Sequence, residues 1–346
     1  MAGLTSIERL GEFGLIDHLT KRFPLPQAPL LTGIGDDAAV YLPAAGKAQV
    51  VTTDLLLEGV HFDLGYTPLR HLGYKAVAVN VSDLAAMNAD PVGITVSFGV
   101  SSRFSVEALE ELYAGIAHAC EAYGVQLLGG DTSSSRQGLV LSVTAVGEAH
   151  PGQITYRHGA RPGDLICVSG DVGAAYAGLM VLEREKAVFK DRPDLQPDLT
   201  SYDYVVGRLL RPEARLDIVR LLRELGVQPT AMMDVSDGIA SELHHLCRQS
   251  SCGAQIYAHK IPIDYQTVAV AEEFKLPPVA FALNGGEDYE LIFTVPIGQF
   301  DTIKSARDFA VIGHMTPDAG IIQLVSEGGE AVDIEAQGWN HFTSTP

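Results

Sequence analysis

The chain has 346 residues, of which 47% are hydrophobic and 19% are charged, and its formal net charge at pH 7 is −19. This length fits two domains of roughly 150 residues each, and the composition is that of a folded globular protein rather than a disordered or fibrous one. The acidity predicts no nucleic-acid partner, because sequence-independent binding to phosphates needs clustered Lys and Arg.

Membrane and export signals are missing from the sequence pattern. No run approaches the roughly 18 apolar residues of a spanning helix, and the first ten residues contain polar and acidic side chains. The four cysteines, Cys120, Cys167, Cys247 and Cys252, form no C-x-x-C pair. They are typical of thiols in a reducing compartment, so we expect a cytoplasmic protein with no membrane partner.

The first half of the chain predicts strands and helices in alternation. In chain order these are strands at 38–42 and 49–54, a helix over 70–87, a strand over 92–100, a helix over 106–120, and strands over 125–128 and 139–146. The first helix should end before Asp90-Pro91, and Gly124 is placed to end the second.

A polar, proline-containing junction over 148–152 predicts a domain boundary, giving an N-terminal domain over 1–150 and a C-terminal domain over 151–346. The elements predicted beyond it are strands at 165–169, 254–258, 289–295 and 310–313, a strand leading into Asp234, and helices over 173–187, 203–209, 213–225 and 238–248. Both halves are therefore mixed α/β.

Aspartates recur in short segments that read as turns. These segments are 33–38, 52–54, 80–83, 129–131, 234–237 and 285–288. Turn formation and helix capping explain any one of them. Their recurrence instead favours a common role, with carboxylates from several turns holding hard cations.

Magnesium suits such a role because it takes one or two carboxylates per ion, keeps waters, and completes its shell with substrate phosphates. Carboxylates facing a triphosphate without metal would repel it, by roughly 1 kcal/mol per pair of charges at 4 Å in water and several times more in a cleft. Cations between them turn this repulsion into attraction. The pattern thus predicts several Mg²⁺ ions and a phosphate-bearing substrate.

Known nucleotide motifs are absent. The sequence has neither a P-loop nor an H-R-D kinase loop, and Gly33-Ile-Gly35 is followed by an expected strand where a dinucleotide fingerprint requires a helix. The acidic segments alone would also permit a non-catalytic protein that binds divalent cations, although no EF-hand loop is present.

Taken in order, these segments resemble the thiamine-monophosphate kinases, a family in the superfamily that includes aminoimidazole ribonucleotide synthetase and selenophosphate synthetase. The matching segments are 11–16, 33–38, 52–54, 61–62, 74–87, 129–132, 161–164, 234–238, 285–290 and 338–342. The resemblance implies a two-domain aminoimidazole ribonucleotide synthetase-like fold. It also implies a homodimer whose N-terminal domains pair into a β-barrel, with ATP between the N-terminal metal-binding domain and the C-terminal domain that completes the site.

The resemblance also implies roles for individual residues. Metal ligands would be Asp37, Thr52, Thr53, Asp54, Asp83, Asp131, Asp234 and Asp237. ATP contacts would be Tyr113, Gly130, Asp131, Arg157 and Ser236. Thiamine-phosphate contacts would be His61, Glu287 and an aromatic of the last segment, Trp339 or Phe342.

A phosphate acceptor is already ionised near neutral pH, so we expect direct in-line transfer from ATP to thiamine monophosphate, with bridging Mg²⁺ and no nucleophile or base from the protein. His61 and Arg157 would position the phosphates. The alternative within the superfamily is an enzyme with an amidine or selenide substrate. Against a selenide substrate, the sequence has no cysteine before Cys120.

Overall fold

The computed structural model describes residues 18–19, 21–22, 30–32, 40–41 and 43–335. The chain divides into two compact units, Met1–Ile154 and Thr155–Pro346. Each unit combines helices with one main sheet, which confirms the mixed α/β class. The functions that the resemblance assigns to the two halves stay predictions.

The N-terminal unit is built on a four-stranded sheet. Its strands are β3 (Ala48–Leu57), β4 (Asp90–Val100), β5 (Gln126–Ser134) and β6 (Val140–Ala149), after a short antiparallel pair β1 (Leu30–Thr32) and β2 (Val40–Tyr41). The order across the sheet is β3–β6–β4–β5. β6 is antiparallel to β3 and β4, whereas β4 and β5 are parallel and joined by a helical crossover.

Two helices cover one face of this sheet. α1 (Leu69–Ala86) packs against β3, β4 and β6, and α2 (Val106–Tyr123) packs on α1. Ser105 accepts a hydrogen bond from the Ala108 N–H at the start of α2, and Gly124 ends the helix at φ 68°, as predicted. α1 is therefore buried on nearly all sides, since it lies between the sheet and α2.

The crossing of α1 and α2 is unusually close. A Cβ added to Gly73 would lie 2.0 Å from the Leu112 carbonyl oxygen, and one added to Gly115 would lie 1.9 Å from the Arg70 carbonyl oxygen. Both neighbours are backbone atoms. The helices therefore approach each other backbone to backbone, and only glycine fits at these two positions.

The opposite face of the sheet is open to solvent along β3. Val51 and Leu55 are 61% and 51% exposed, and the residues between them alternate with more buried ones. Within the described residues the sheet remains open and does not close into a barrel. The barrel expected across a dimer is not formed within one chain.

The C-terminal unit holds a seven-stranded sheet in the order β13–β12–β9–β11–β7–β10–β8. The strands are β7 (Leu165–Ser169), β8 (Ala231–Asp234), β9 (Gly253–Tyr257), β10 (Leu291–Val295), β11 (Phe309–Thr316), β12 (Ile322–Val325) and β13 (Ala331–Asp333). All neighbours are antiparallel except β12 and β9.

Helices and short 3₁₀ turns connect these strands. They are α3 (Ala174–Asp191), α4 (Asp203–Leu210), α5 (Leu216–Glu224), α6 (Ile239–Ser250), α7 (Tyr265–Glu273), α8 (Pro278–Asn284) and α9 (Phe300–Ile303), with 3₁₀ turns at Thr200–Tyr202, Ala258–Lys260 and Ile297–Gln299. The sequence predicted neither α7 to α9 nor β12 and β13; apart from α7, these elements have seven residues or fewer, too few for a clear periodic pattern.

Two acidic segments lie within strands rather than at turns. The Thr52–Thr53–Asp54 segment is in the middle of β3, which continues to Leu57, and the Gly129–Gly130–Asp131 segment is in β5. Their pairing with β6 and β4 supplies the hydrogen bonds that override the turn preference of Gly and Asp. The expectation that these two segments are turns was wrong.

All four cysteines are buried and unpaired with one another. Burial raises the pKa of Cys120 and of Cys167 to about 12, so these thiols are protonated at neutral pH. Among the residues described, no helix is both long enough and apolar enough to cross a membrane.

Candidate active site

Two of the acidic segments meet where β3 lies against α1. The Thr52 hydroxyl donates to Asp83 Oδ2 at 2.5 Å, and the Asp54 N–H donates to Asn80 Oδ1 at 3.1 Å. Asn80 is fully buried, and its Nδ2 donates to the Ala76 carbonyl at 3.0 Å. Asn80 therefore fixes the backbone of Asp54, and Asn80 and Asp83 lie on the same face of α1, toward β3.

Two further predicted ligands of this unit, Thr53 and Asp131, lie on the open face of the sheet. Thr53 donates to the Val143 carbonyl and accepts from the Thr144 hydroxyl, each at 3.1 Å. Asp131 pairs with Ser97 of β4 in the strand register and is exposed. Because side chains alternate along a strand, Thr53 and its two neighbours in β3 face opposite sides of the sheet.

Asp131 is also remote from β3 within one chain. β3 and β5 are the two edges of the sheet, with β6 and β4 between them. Three inter-strand spacings amount to about 14 Å. The structure thus does not bring Asp131 together with Asp54 in a single copy of the chain.

Gly130, a predicted ATP contact, lies where two strands approach closely. A Cβ at this position would be 1.9 Å from the Val96 carbonyl oxygen. The position therefore requires glycine for packing, whatever its role toward a ligand.

Tyr113 and His61, two further predicted contacts, differ in environment. Tyr113 is a buried residue of α2 whose ring stands edge-on to Phe98 with centroids 5.8 Å apart, and burial raises the pKa of its hydroxyl above the usual range. His61 Nδ1 accepts a hydrogen bond from the Leu57 N–H at 3.1 Å. In neutral His61 the proton consequently resides on Nε2.

Two acidic segments of the C-terminal unit lie side by side. Asp234 is buried at the end of β8, and the turn after it leads into α6. The Val235 N–H donates to the Glu290 carbonyl, and the Glu287 N–H donates to the Ser236 carbonyl, both at 2.7 Å. Backbone hydrogen bonds therefore join segments 234–237 and 285–290, which the sequence singled out separately.

The segment that carries Glu287 has a left-handed backbone. Gly286, Glu287 and Tyr289 have φ angles of 71°, 63° and 53°. Such conformations cost on the order of 1–3 kcal/mol for residues other than glycine and persist where the surroundings fix them. A Cβ at Gly286 would lie 2.4 Å from the Ser236 carbonyl oxygen. The turn after β8 thus sets the shape of this segment.

Two buried carboxylates hold the same segment from the other side. Asp288 accepts from the Gly173 N–H at 2.6 Å and the Ala175 N–H at 3.2 Å, which caps α3. Burial raises the pKa of Asp288 to about 7. The sequence pattern placed Asp288 in a segment predicted to bind cations. In the structure its carboxylate oxygens instead accept hydrogen bonds from backbone N–H groups.

Glu290 is the centre of a buried ion cluster. It accepts from the Ser169 hydroxyl and pairs with Arg215, and its Oε1 lies 3.0 Å from Arg208 Nη1. These partners are distant in sequence. The sequence analysis assigned no role to Glu290, although an acidic residue two positions beyond Asp288 is visible in it.

Glu242 is a second residue that the sequence analysis missed. It is 1% exposed, and its Oε1 accepts from the Ser236 N–H at 3.1 Å and the Asp237 N–H at 2.8 Å. Burial raises the pKa of Glu242 to about 8, and the charges of Asp234 and Asp237 act in the same direction. The available signal was an acidic residue in the first turn of α6.

Arg157 lies beside the strand that ends in Asp234. The preceding residue, Tyr156, accepts the Met232 N–H at 3.0 Å. Burial lowers the pKa of His245 on α6, the charge of Arg157 adds to this, and the charge of Asp237 opposes it. The charges of Arg157 and Asp237 therefore both act on His245 of α6, in opposite directions.

No group of three or more His, Cys, Asp or Glu side chains within the described ranges is arranged to hold a metal ion. In the N-terminal unit a hydrogen bond joins Thr52 and Asp83, and Asp54 lies in the same strand as Thr52. In the C-terminal unit Asp234 and Asp237 both lie close enough to Glu242 for their charges to act on it. Three of the residues that the sequence nominated, Asp37, Trp339 and Phe342, lie outside the described residues.

Comparison with known proteins agrees with this arrangement of two α/β units. The sequence matches the AIR synthase related protein N-terminal domain over residues 35–149 and the C-terminal domain of the same description over 161–324. A two-domain protein of the AIR synthase related class is thereby defined, and the expected fold is confirmed at this level.

Individual relatives narrow the class. The chain is 33% identical over 338 residues to the thiamine-monophosphate kinase of Bacillus subtilis, covering 96% of this chain and all of that one. Among solved structures, thiamine-monophosphate kinase from Stenotrophomonas maltophilia has a TM-score of 0.78 at 34% identity, covering 93% and 98% of the two chains. A structure described as AaThiL complexed with AMPPCP and TMP has a TM-score of 0.76 at 33% identity, covering 97% and 98%. The chain belongs to the thiamine-monophosphate kinase family, and the expected enzyme class is confirmed.

Proposed function

We propose that this chain transfers the γ-phosphoryl group of ATP to thiamine monophosphate, giving thiamine diphosphate and ADP. The observation that carries the proposal is the convergence of the acidic segments, 52–54 on 80–83 and 234–237 on 285–290, in a chain with family relatives over nearly its whole length. The reducing compartment favoured by four unpaired cysteines makes the cytoplasm the proposed location.

The proposed ligands of Mg²⁺ and the nucleotide are those that the resemblance assigns. Asp54 and Asp83 present hard oxygen donors in one unit, and Asp234 and Asp237 do so in the other. Mg²⁺ takes one or two carboxylates and completes its shell with waters and phosphates, so paired donors fit it without a cluster of three. Bound Mg²⁺ neutralises charge on the transferred phosphoryl group.

The chain's own residues need only bind and orient the two phosphates. The acceptor is a phosphate oxygen that is ionised near neutral pH, so in-line transfer requires no base. In His61 the proton is on Nε2, a donor of the kind that a phosphate oxygen accepts. Arg157 supplies a permanent cation whose charge, like that of Asp237, acts on His245 of α6. Tyr113, Gly130 and Ser236 remain the proposed ATP contacts, and Glu287 with Trp339 or Phe342 the proposed thiamine-phosphate contacts.

The test is formation of thiamine diphosphate from ATP and thiamine monophosphate, with free thiamine as the control acceptor and with Mg²⁺ present or chelated. Product from the monophosphate alone, lost on chelation, supports the proposal. ATP consumption without thiamine diphosphate would refute it.

Asp54→Asn and Asp90→Asn are matched variants for the metal assignment. Both remove one carboxylate from the same sheet. Asp90 of β4 and Gln49 of β3 each pair with Glu148 of β6, so Asp90 lies level with Gln49, about 16 Å along the strand direction from Asp54. Asp54→Asn should reduce turnover at least a hundredfold, and Asp90→Asn should leave it near that of the wild type. Equal activity of the two variants would overturn the assignment of Asp54.

We further propose that two copies of the chain pair their N-terminal sheets into a barrel. Two observations support it: β3 and β5 both offer edges without a second strand partner in the described part of the chain, and Val51 and Leu55 are exposed on the open face. Pairing β3 of one copy with β5 of the other would bring Asp131 beside Thr53 of its partner, a proposed ligand on the same open face. Such pairing would reunite ligands that one chain holds about 14 Å apart.

Mixed dimers test this pairing. Asp54→Asn and Asp131→Asn are each expected to be inactive alone, but a mixed dimer has one site with both aspartates intact. Unfolding and refolding an equimolar mixture should therefore restore about a quarter of wild-type activity if subunits exchange at random. Absence of restored activity, with mixed dimers demonstrated by mass, would refute a site shared between copies.

A further inference from the structure

The turn between β8 and α6 is held by a single buried carboxylate. Glu242 Oε1 accepts both the Ser236 and the Asp237 backbone N–H, at 3.1 and 2.8 Å. These N–H groups lie before the first residue of α6, Ile239, so the carboxylate reaches back past the helix start. The two residues that it holds are the proposed nucleotide contact and a proposed cation ligand.

Helix capping alone does not account for this placement. The residue at the start of α6 is Gly238, which has no side chain, and its φ of 102° is open to few other residues. A Cβ there would lie 2.6 Å from the Leu283 carbonyl oxygen. The turn consequently has no side-chain cap of its own, and the acceptor comes from Glu242 instead.

Burying a carboxylate at this position has an energetic cost. The Glu242 side chain is almost completely buried, and a buried carboxylate costs free energy unless hydrogen bonds compensate it. The Ser236 and Asp237 N–H groups supply that compensation, so the acid at this position is explained by the backbone that it holds.

The opposite side of the turn is fixed independently. The Ser236 carbonyl accepts the Glu287 N–H at 2.7 Å, whereas its N–H is directed to Glu242. The peptide units of Ser236 are thereby held from both sides. The backbone from which the Ser236 and Asp237 side chains project is therefore held by hydrogen bonds to two other segments.

We propose that Glu242 is a positioning residue that orients Ser236 and Asp237 toward the metal–nucleotide complex. It acts through its hydrogen bonds to the backbone and does not touch the substrate. The inference rests on the proposed function only in the identity of the nucleotide, and it concerns binding of Mg²⁺–ATP rather than of the acceptor.

Three variants separate this role from a structural one. Glu242→Gln keeps a carbonyl oxygen that can accept both N–H groups, Glu242→Met keeps the length of the side chain but has no such acceptor, and Asp164→Leu removes another buried acid of the same unit. Asp164 accepts from the Arg161 N–H and the Thr230 hydroxyl, in a turn to which no ligand role is assigned.

The measurement is the Kd for Mg²⁺–AMPPCP by calorimetry, with the KM values for ATP and for thiamine monophosphate beside it. We expect Glu242→Met to weaken nucleotide binding at least about tenfold, since two backbone donors lose their acceptor. Glu242→Gln should stay within about threefold of the wild type. The KM for thiamine monophosphate should change less than twofold in both, and Asp164→Leu should change neither constant.

Two results would overturn the proposal. The first is unaltered nucleotide binding by a folded Glu242→Met protein. The second is a tenfold loss of nucleotide affinity in Glu242→Gln while amide hydrogen exchange at residues 235–238 is unchanged, because the charge of Glu242 and not the position of the turn would then matter. If Glu242→Met does not fold, the Gln variant and its exchange pattern decide the question. The calorimetric result is independent of thiamine diphosphate formation, so it distinguishes failure of this inference from failure of the proposed reaction.

Discussion

Replacing Gly115 with alanine should destabilise the N-terminal unit, although alanine is the better helix former. The added Cβ would lie 1.9 Å from the Arg70 carbonyl oxygen and 2.9 Å from the Tyr74 nitrogen, where ordinary contact begins near 3.4 Å. Neither backbone atom can rotate away, so α1 and α2 must separate by about 1.5 Å. Overpacking of this kind costs about 3 kcal/mol, and helix propensity returns about 1 kcal/mol, which leaves a net loss of about 2 kcal/mol.

Gly207→Ala provides the matched control. Gly207 lies within α4, and a Cβ there would meet nothing within 4 Å. The same chemical change should therefore stabilise the C-terminal unit by about 0.5–1 kcal/mol. The two substitutions are expected to have opposite signs because only one of them meets a neighbouring backbone.

Amide hydrogen exchange read by mass spectrometry is the appropriate assay, because it reports each unit separately. In Gly115→Ala the peptides of α1 and α2 should exchange faster, by up to about thirtyfold for 2 kcal/mol, and those of the C-terminal unit should be unchanged. Wild-type exchange rates over 69–123 in this variant would refute the close crossing of the two helices.

Other expectations concern the buried acids of the C-terminal unit. Glu290→Gln leaves Arg208 and Arg215 without the buried charge of Glu290, so thermal unfolding should show a loss of about 3 kcal/mol in the free energy of unfolding. The control Asp301→Asn, at an exposed ion pair, should lose no more than about 1 kcal/mol. Equal losses in the two variants would contradict the buried cluster. Because burial raises the folded-state pKa of Asp288 to about 7, above its unfolded value, the stability linked to this group is full in acid and is lost as the pH rises through 7. Urea unfolding should therefore show that the free energy of unfolding falls more between pH 5 and pH 8 in the wild type than in Asp288→Asn. An equal fall in both proteins would contradict this assignment.

Periodic and capping signals made part of the fold predictable from sequence. The helix that became α2 was predicted from apolar spacings of three and four and from Gly124, and both hold because they depend on neighbours within one turn. Asn80 and Asp83, three residues apart in α1, share a face for the same reason. What lies on that face, the Thr52 hydroxyl and the Asp54 N–H, comes from a strand some thirty residues away.

Features that depend on long-range pairing were not predictable. The Gly129–Gly130–Asp131 segment has turn composition, yet hydrogen bonds to β4 make it a strand. Glu290 contacts residues at positions 169, 208 and 215. Glu242 accepts hydrogen bonds from the turn that precedes its own helix, five and six residues back along the chain. Residue type was visible in each case, but the partner was not.

The two units position their acidic residues by different physical means. In the N-terminal unit the alternation of β3 sets the face on which each ligand candidate lies, and the amide of Asn80 fixes the backbone of Asp54. In the C-terminal unit a turn with no side-chain cap is held by Glu242, and a left-handed segment is held by Asp288 and Glu290. Buried acids carry an energetic cost wherever their charge is not fully compensated. That cost falls around segments 234–237 and 285–290, where Glu242 and Asp288 accept backbone N–H groups and Glu290 pairs with two arginines, so the same buried acids hold both the conformation of these segments and the unit around them.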